Sequence, residues 1–169
     1  MPRYRERRSL DGLFYSYVTL LEYETSLAYE LIVEKCSDSG AKLLLVSLYE
    51  DTKKHASIMK SVSRSLGQVY PPPMIRCEVE MGQAYKDSLS HIRSIKDALR
   101  KDLPLLDAIK MILEDEERIS EEYLTLLHSK ARLIEEDDTA IRRVLKDIAS
   151  DEEKHQELLK LVADSIPQQ

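Results

Sequence analysis

The stretch Asp151-Glu152-Glu153-Lys154-His155 lies inside a long run of apolar residues at helical spacing, Ile141, Val144, Leu145, Ile148, Leu159, Val162 and Ile166. Glu152 and His155 are three residues apart. On an α-helix that spacing sets a carboxylate and an imidazole one turn apart on one face, able to share a metal ion. One hundred residues earlier the chain reads Asp51-Thr52-Lys53-Lys54-His55. Asp, Lys and His repeat in register, but Thr52 stands where Glu152 stands. Two copies on two helices predict a metal site built between helices, with one ligand missing.

Outward from these motifs, apolar periodicity and breaker residues predict an all-α chain. The long helices are expected over about 11–35, 41–66, 104–133 and 139–166, with an extra helix over about 79–101. The first is expected to stop in the polar cluster Ser37–Gly40, with Gly40 as the helix-ending residue. Gly67 follows the second, and Tyr70-Pro71-Pro72-Pro73-Met74 then forces an extended crossover. Asp102 is the expected N-cap of the helix after Pro104, and Asp137 or Asp138 that of the last. The extra helix is expected within the crossover, with Met81, Ala84, Tyr85, Ser88, Ile92, Ile95 and Leu99 on one side. Short links join the first pair of long helices and the last pair, and a long connection separates the pairs. That order describes two helical hairpins forming an antiparallel four-helix bundle.

The bulk properties agree with one helical domain. The chain has 169 residues, 43% of them apolar and 33% charged, and only four glycines, which disfavours a turn-rich β fold. A net charge of −6 gives no general attraction to nucleic acid or to a membrane surface. Arg3, Arg5, Arg7 and Arg8 make residues 1–10 a basic tail, expected to be frayed and solvated. There is no secretory h-region and no apolar run near the ~20 residues that span a bilayer, so a cytoplasmic location is expected. The two cysteines, Cys36 and Cys77, form no CxxC. They are expected to be structural and cannot supply the four thiolates of a rubredoxin-type centre.

Stepping about 100° per residue assigns polar groups to the apolar faces. On the first helix the face reads Leu13, Tyr17, Leu20, Leu21, Leu27, Ala28 and Leu31, with Glu24 in its middle and Glu22 on the far side. On the second, His55, Thr52 and Asp51 share the face of Leu44, Leu48, Met59, Val62 and Leu66. Glu116 sits among Leu105, Ile109, Ile112, Leu113, Tyr123 and Leu127. On the last helix Glu152 and His155 face inward. Each long helix is thus expected to bury an ionisable group near its midpoint. Unpaired buried carboxylates cost several kcal/mol, so such groups pair or bind metal. Glu24, His55, Glu116, Glu152 and His155 form a donor set suited to iron or manganese. Asp51 and Asp151 are placed to accept hydrogen bonds from the opposing imidazoles. Tyr17 and Tyr123 are read as core packing, with a lesser role beside the ligands. His91 and His128 fall off the apolar centres and are expected at the surface.

In its residues the chain resembles the ferritin-like di-iron carboxylate superfamily, in the style of erythrin- and rubrerythrin-like proteins. That pattern is a Glu, a Glu-x-x-His, a crossover, a second Glu and a second Glu-x-x-His. Glu24, His55, Glu116 and the pair Glu152 and His155 stand at matching positions, over roughly residues 13–66 and 105–165. Thr52 departs from it, where the family places a bridging Glu. The resemblance implies two iron ions, with Mn or Zn as alternatives: Glu24 and His55 on one, Glu116 and His155 on the other, and Glu152 bridging. It implies redox chemistry on peroxide, O2 or ferrous iron, a separate electron donor as partner, and a homodimer. A cage-forming ferritin is not expected, because only Ile166-Pro-Gln-Gln follows the last helix. Thr52 favours a rival reading, a metal-poor helical bundle that serves as a binding or assembly module without catalysis.

Overall fold

The computed structural model describes residues 2–68, 70–116 and 139–166, and these are all-α, with no strand among them. Helix α1 spans Pro2–Lys35 and α2 Ser39–Ser65. A short 3-10 turn, Met74–Arg76, leads into α3, Cys77–Leu99. Residues 105–116 form the described part of α4, and α5 spans Thr139–Ser165. The rest of the helix expected to reach residue 133, with Tyr123 and His128, lies outside the described residues, as do Asp137 and Asp138. No described helix is long and apolar enough to cross a membrane.

Four local expectations are corrected. Helix α1 starts at Pro2, so its backbone runs through the stretch expected to be a frayed tail. Proline suits a first helical position, Arg and Glu are good helix formers, and nothing before Asp11 stops the helix. Gly40 does not end α1. It lies in the first turn of α2, which Asp38 caps by accepting from the Ala41 N–H at 2.8 Å. Asp102 does not cap α4. It adopts a left-handed φ of 67° and closes α3, with Leu103 N–H donating to Ala98 O at 3.0 Å and Asp102 N–H to Leu99 O at 3.3 Å. This is the Schellman pattern, and Asp tolerates that conformation better than most residues. Finally, α3 lies within the crossover as expected, but Ala84 does not share its buried side. The helix kinks at Gly82 (φ 79°, ψ 174°) and packs against α1. Met81, Tyr85, Leu89, Ile92, Ile95 and Leu99 are buried, while Ala84, expected on that side, is exposed.

The packing of α1 follows from this. It lies against α2 on one side and α3 on another, and residues 12–22 are all buried. Gly12 permits the close approach to the end of α2: a Cβ there would meet Gln68 Cγ at 2.6 Å and Leu66 Cβ at 3.0 Å. The Ser63 hydroxyl donates to Gly12 O at 2.9 Å across the same contact. Helix α2 also packs on α5. Buried Cys36 lies in the turn between α1 and α2, in keeping with a structural thiol; the side chain of Cys77 is not among those described.

The core has two apolar halves. One joins α1 (Leu13 to Leu21), α2 (Met59, Val62), α3 (Met81 to Leu89) and α5 (Leu145, Ile148). The other joins α1 (Ala28 to Cys36), α2 (Ala41 to Leu48), α3 (Ile92 to Leu99), α4 (Ala108 to Ile112) and α5 (Leu159, Val162). From one half to the other α1 and α3 run the same way, and α2 and α5 run oppositely to each other. Between the halves, at matching depth, lie Glu22, Thr25, Ser26, Thr52, His55, Glu152 and His155, all buried. A polar layer at this depth is costly unless its members satisfy one another or hold an ion.

Candidate metal centre

Helices α2 and α5 carry the centre of that layer. His55 is fully buried on α2, and its Nδ1 lies 2.8 Å from Glu152 Oε1 on α5. Its Nε2 lies 3.3 Å from Asp151 Oδ2, so one ring is held from both sides by consecutive residues of the facing helix. His155 Nδ1 lies 3.3 Å from the other oxygen of Glu152. Its Nε2 is buried and has no hydrogen-bond partner among the described residues. The two imidazoles stack, with centroids 5.6 Å apart and planes at 23°. Glu152 therefore offers one oxygen to each imidazole.

Helix α1 adds Glu22. One ligand atom each from Glu22, His55 and Glu152 lie within 4.8 Å of one another, and all three residues are buried. Two carboxylates and an imidazole gathered in this way suit a first-row divalent ion. Helix α4 brings Glu116, whose Oε1 accepts from the Tyr29 hydroxyl at 3.4 Å. Gln156 on α5 donates to Glu116 O at 3.2 Å.

The electrostatics follow from this crowding. Burial raises the Glu152 pKa, but hydrogen bonds from His155 and His55 outweigh it and hold the carboxyl at about 2. Burial depresses both imidazoles, yet the bond to Glu152 and the surrounding carboxylates win. His155 rises to about 9, and His55 is raised above its ordinary value by Glu152, Glu22 and Asp151. Glu116 is pushed up to about 8, first by desolvation and then by the negative charge of Glu152. The Tyr29 phenol is raised well above its ordinary value by burial, then by Glu116, Glu152 and Glu22. Near neutral pH these values leave Glu152 ionised beside a protonated His155.

The other residues singled out from sequence fall as follows. Glu24, expected as a ligand, does not join this cluster. Arg93 Nε donates to its Oε1 at 2.9 Å and Lys96 to its Oε2, both from α3. Burial raises its pKa, but these two cations outweigh it. Tyr17 is not beside the cluster either: its hydroxyl donates to Pro73 O at 2.6 Å, and its ring meets Tyr85 edge-on, centroids 5.9 Å apart. Tyr17 and Glu24 are seven residues apart, hence on one face of α1. That face is buried as its apolar residues require, but α3 and the crossover cover it. Thr52 is buried, and its hydroxyl donates to Leu48 O at 2.9 Å. Asp51 sits at the rim, bonded to Lys54 Nζ at 2.7 Å, while the same Nζ reaches Asp151 at 3.2 Å. His91 is only partly exposed, with Nδ1 2.6 Å from Oδ2 of buried Asp115. Tyr123 lies outside the described residues.

Glu22, expected on the far side of the first helix, is instead buried in the cluster, and Tyr29 is buried beside Glu116. They share a second stripe of α1, Tyr15, Val18, Glu22, Ser26 and Tyr29, whose spacing of three, four, four and three is also helical. Its polar members made it look like an outer face.

No protein-family model, curated protein or solved structure matches this chain. What stands is an all-helical protein with a buried glutamate and histidine cluster whose donor atoms could hold a metal ion.

Proposed function

We propose that α1, α2, α4 and α5 form a ferritin-like four-helix bundle with α3 added against α1, and that the polar layer is a metal centre. The metal is iron, with manganese or zinc as alternatives, and the activity is that of a di-iron-type oxidoreductase acting on peroxide, O2 or ferrous iron. The observation that carries this reading is the convergence of Glu22, His55 and Glu152 within 4.8 Å, buried between two apolar halves. The fit is supported by the donor set, two hard oxygens and one imidazole, and by the unpartnered buried Nε2 of His155. Glu22, not Glu24, is the ligand from α1. Glu116 and His155 provide donors on the other side of Glu152.

Bound there, iron would supply electron transfer and Lewis acidity toward an oxygen or peroxide substrate. The side chains have definite tasks around it. Glu22 and Glu152 neutralise a divalent charge. Asp151 holds the His55 ring by its Nε2 and so aims Nδ1 at the centre. Glu116, with its raised affinity for a proton, keeps one beside the centre near neutral pH. Leu48 on one side and Met59 on the other, both fully buried, help keep bulk water out. Electrons would come from a separate donor protein, and the functional unit is a homodimer.

Loading with Fe(II) or Mn(II) followed by desalting and elemental analysis tests this reading. The wild type and Glu24→Gln should retain metal, and Glu22→Gln should lose it. Absence of retained metal in the wild type would overturn it. The rival, a metal-poor binding or assembly module, draws on one observation: Glu152, His55 and Asp151 already satisfy one another, and Thr52 brings no carboxylate. The same experiment separates the two.

A further inference from the structure

We infer that the two halves of this centre are unequal: one ion is held tightly by Glu22, His55 and Glu152, and a second binds only weakly on the side of Glu116 and His155. The inference rests on the metal reading above and departs from the symmetrical pair that the resemblance implies. Five observations point the same way. Only Glu22, His55 and Glu152 gather donor atoms within 4.8 Å among the described residues. The Nδ1 of His55 sits 2.8 Å from Glu152, against 3.3 Å for His155. His55 is held at both ring nitrogens, by Glu152 and by Asp151, whereas His155 is held at Nδ1 and its Nε2 has no described partner. Glu116 on the second side is engaged by the Tyr29 hydroxyl. Thr52 occupies the position from which a second carboxylate could bridge, and its hydroxyl is turned to Leu48 O.

Charge counting gives the same result. One divalent ion meets the two negative charges of Glu22 and Glu152 and is balanced by them. A second ion would add two positive charges against Glu116 alone, in a site where uncompensated charge is expensive. Glu116 and His155 then remain neighbours of the ion and not its ligands.

Mn(II) titration by equilibrium dialysis, read together with electron paramagnetic resonance, tests this on the intact chain. The expected result is one tightly held ion per chain with the spectrum of isolated Mn(II). Glu116→Gln should weaken its affinity by about tenfold at most, and Glu22→Gln by on the order of a hundredfold. Thr52→Glu supplies the absent carboxylate and should tighten a second ion by about tenfold or more, giving an exchange-coupled spectrum. Two equally tight, coupled ions in the wild type would overturn the inequality while leaving the metal reading intact. No bound ion at all would overturn the metal reading itself. Loss of the tight ion in Glu116→Gln and its survival in Glu22→Gln would overturn the assignment of halves. A folded Thr52→Glu that gains nothing would overturn the account of why the halves differ. If that variant does not fold by circular dichroism, the two glutamine variants still decide.

Discussion

Helices α2 and α5 present the same Asp-x-x-Lys-His frame to the core from opposite sides, and the structure uses the two frames differently. His55 and His155 both reach the buried layer and stack ring on ring. Asp151 turns to the opposing imidazole, while Asp51 stays with Lys54 at the rim. Glu152 serves both histidines, and Thr52 serves only its own helix backbone. One carboxylate bonded to both imidazoles gives each ring a partner in a medium that penalises unpaired charge. A repeat in sequence thus brings residues to equal depth without giving them equal roles, because charge balance is settled for the whole layer at once.

The comparison breaks most visibly at Glu152 and Thr52. Glu152→Gln removes the shared anion from two buried imidazoles and should cost about 3 kcal/mol in the metal-free chain at pH 6. Thr52→Val loses only a hydroxyl bonded to its own helix and should cost about 1 kcal/mol or less. Urea denaturation measures both, and equal costs would mean that the layer is not organised around Glu152.

The histidines should separate next. His55→Ala should lose the tight ion, while His155→Ala should weaken it by about tenfold at most, an effect on the scale of losing a supporting neighbour. Dialysis against a chelator of known affinity reads the difference. Loss of metal in His155→Ala alone would exchange the roles of the two helices.

The third expectation concerns pH in the absence of metal. His155 is raised from 6.5 to about 9 and Glu116 from 4.5 to about 8, so the folded chain holds protons that the unfolded chain releases. Their contributions are whole below 6.5 and 4.5 respectively and drain away as pH rises through about 9 and 8. Glu152, held at about 2 against an ordinary 4.5, contributes above 4.5 and fails only as pH falls through about 2. Thermal melts should therefore show the highest Tm near about pH 5–6 and a steady fall toward pH 9. A Tm that rises over that interval would contradict the raised pKa values.

The smallest effect lies in the paired aspartates. Asp151→Asn should lower metal affinity by about tenfold by loosening the His55 ring, and Asp51→Asn should change it little. Equal effects would mean that both imidazoles are braced alike once metal is present.

Legibility from sequence differed between helices for a physical reason. On α2 and α5 one side faces the core, so apolar spacing points inward without ambiguity. Thr52, His55, Glu152 and His155 are buried on the faces read for them. On α1 two stripes are buried, one under α3 and one toward the polar layer. Periodicity alone cannot say which neighbour covers which stripe. Apolar spacing favours the stripe of Leu13, Tyr17 and Glu24, and the structure turns that stripe to Arg93, Lys96 and Pro73. Glu22 and Tyr29 could be seen only once α3 was known to pack along α1. Asp102 shows the same limit over a shorter range, since a residue between two helices can end one or begin the next.

The amino-acid sequence by itself determined the all-helical class, the crossover at Pro71–Pro73 and the inward turn of the two histidines with Glu152. These follow from helical spacing and from proline's missing N–H, which act within a few residues of chain. Only the tertiary structure decided which glutamate of α1 meets the histidines, which aspartate braces an imidazole, and that α3 belongs to the core. Those choices depend on which surface covers which, and on the cost of leaving charge unpaired between helices far apart in sequence.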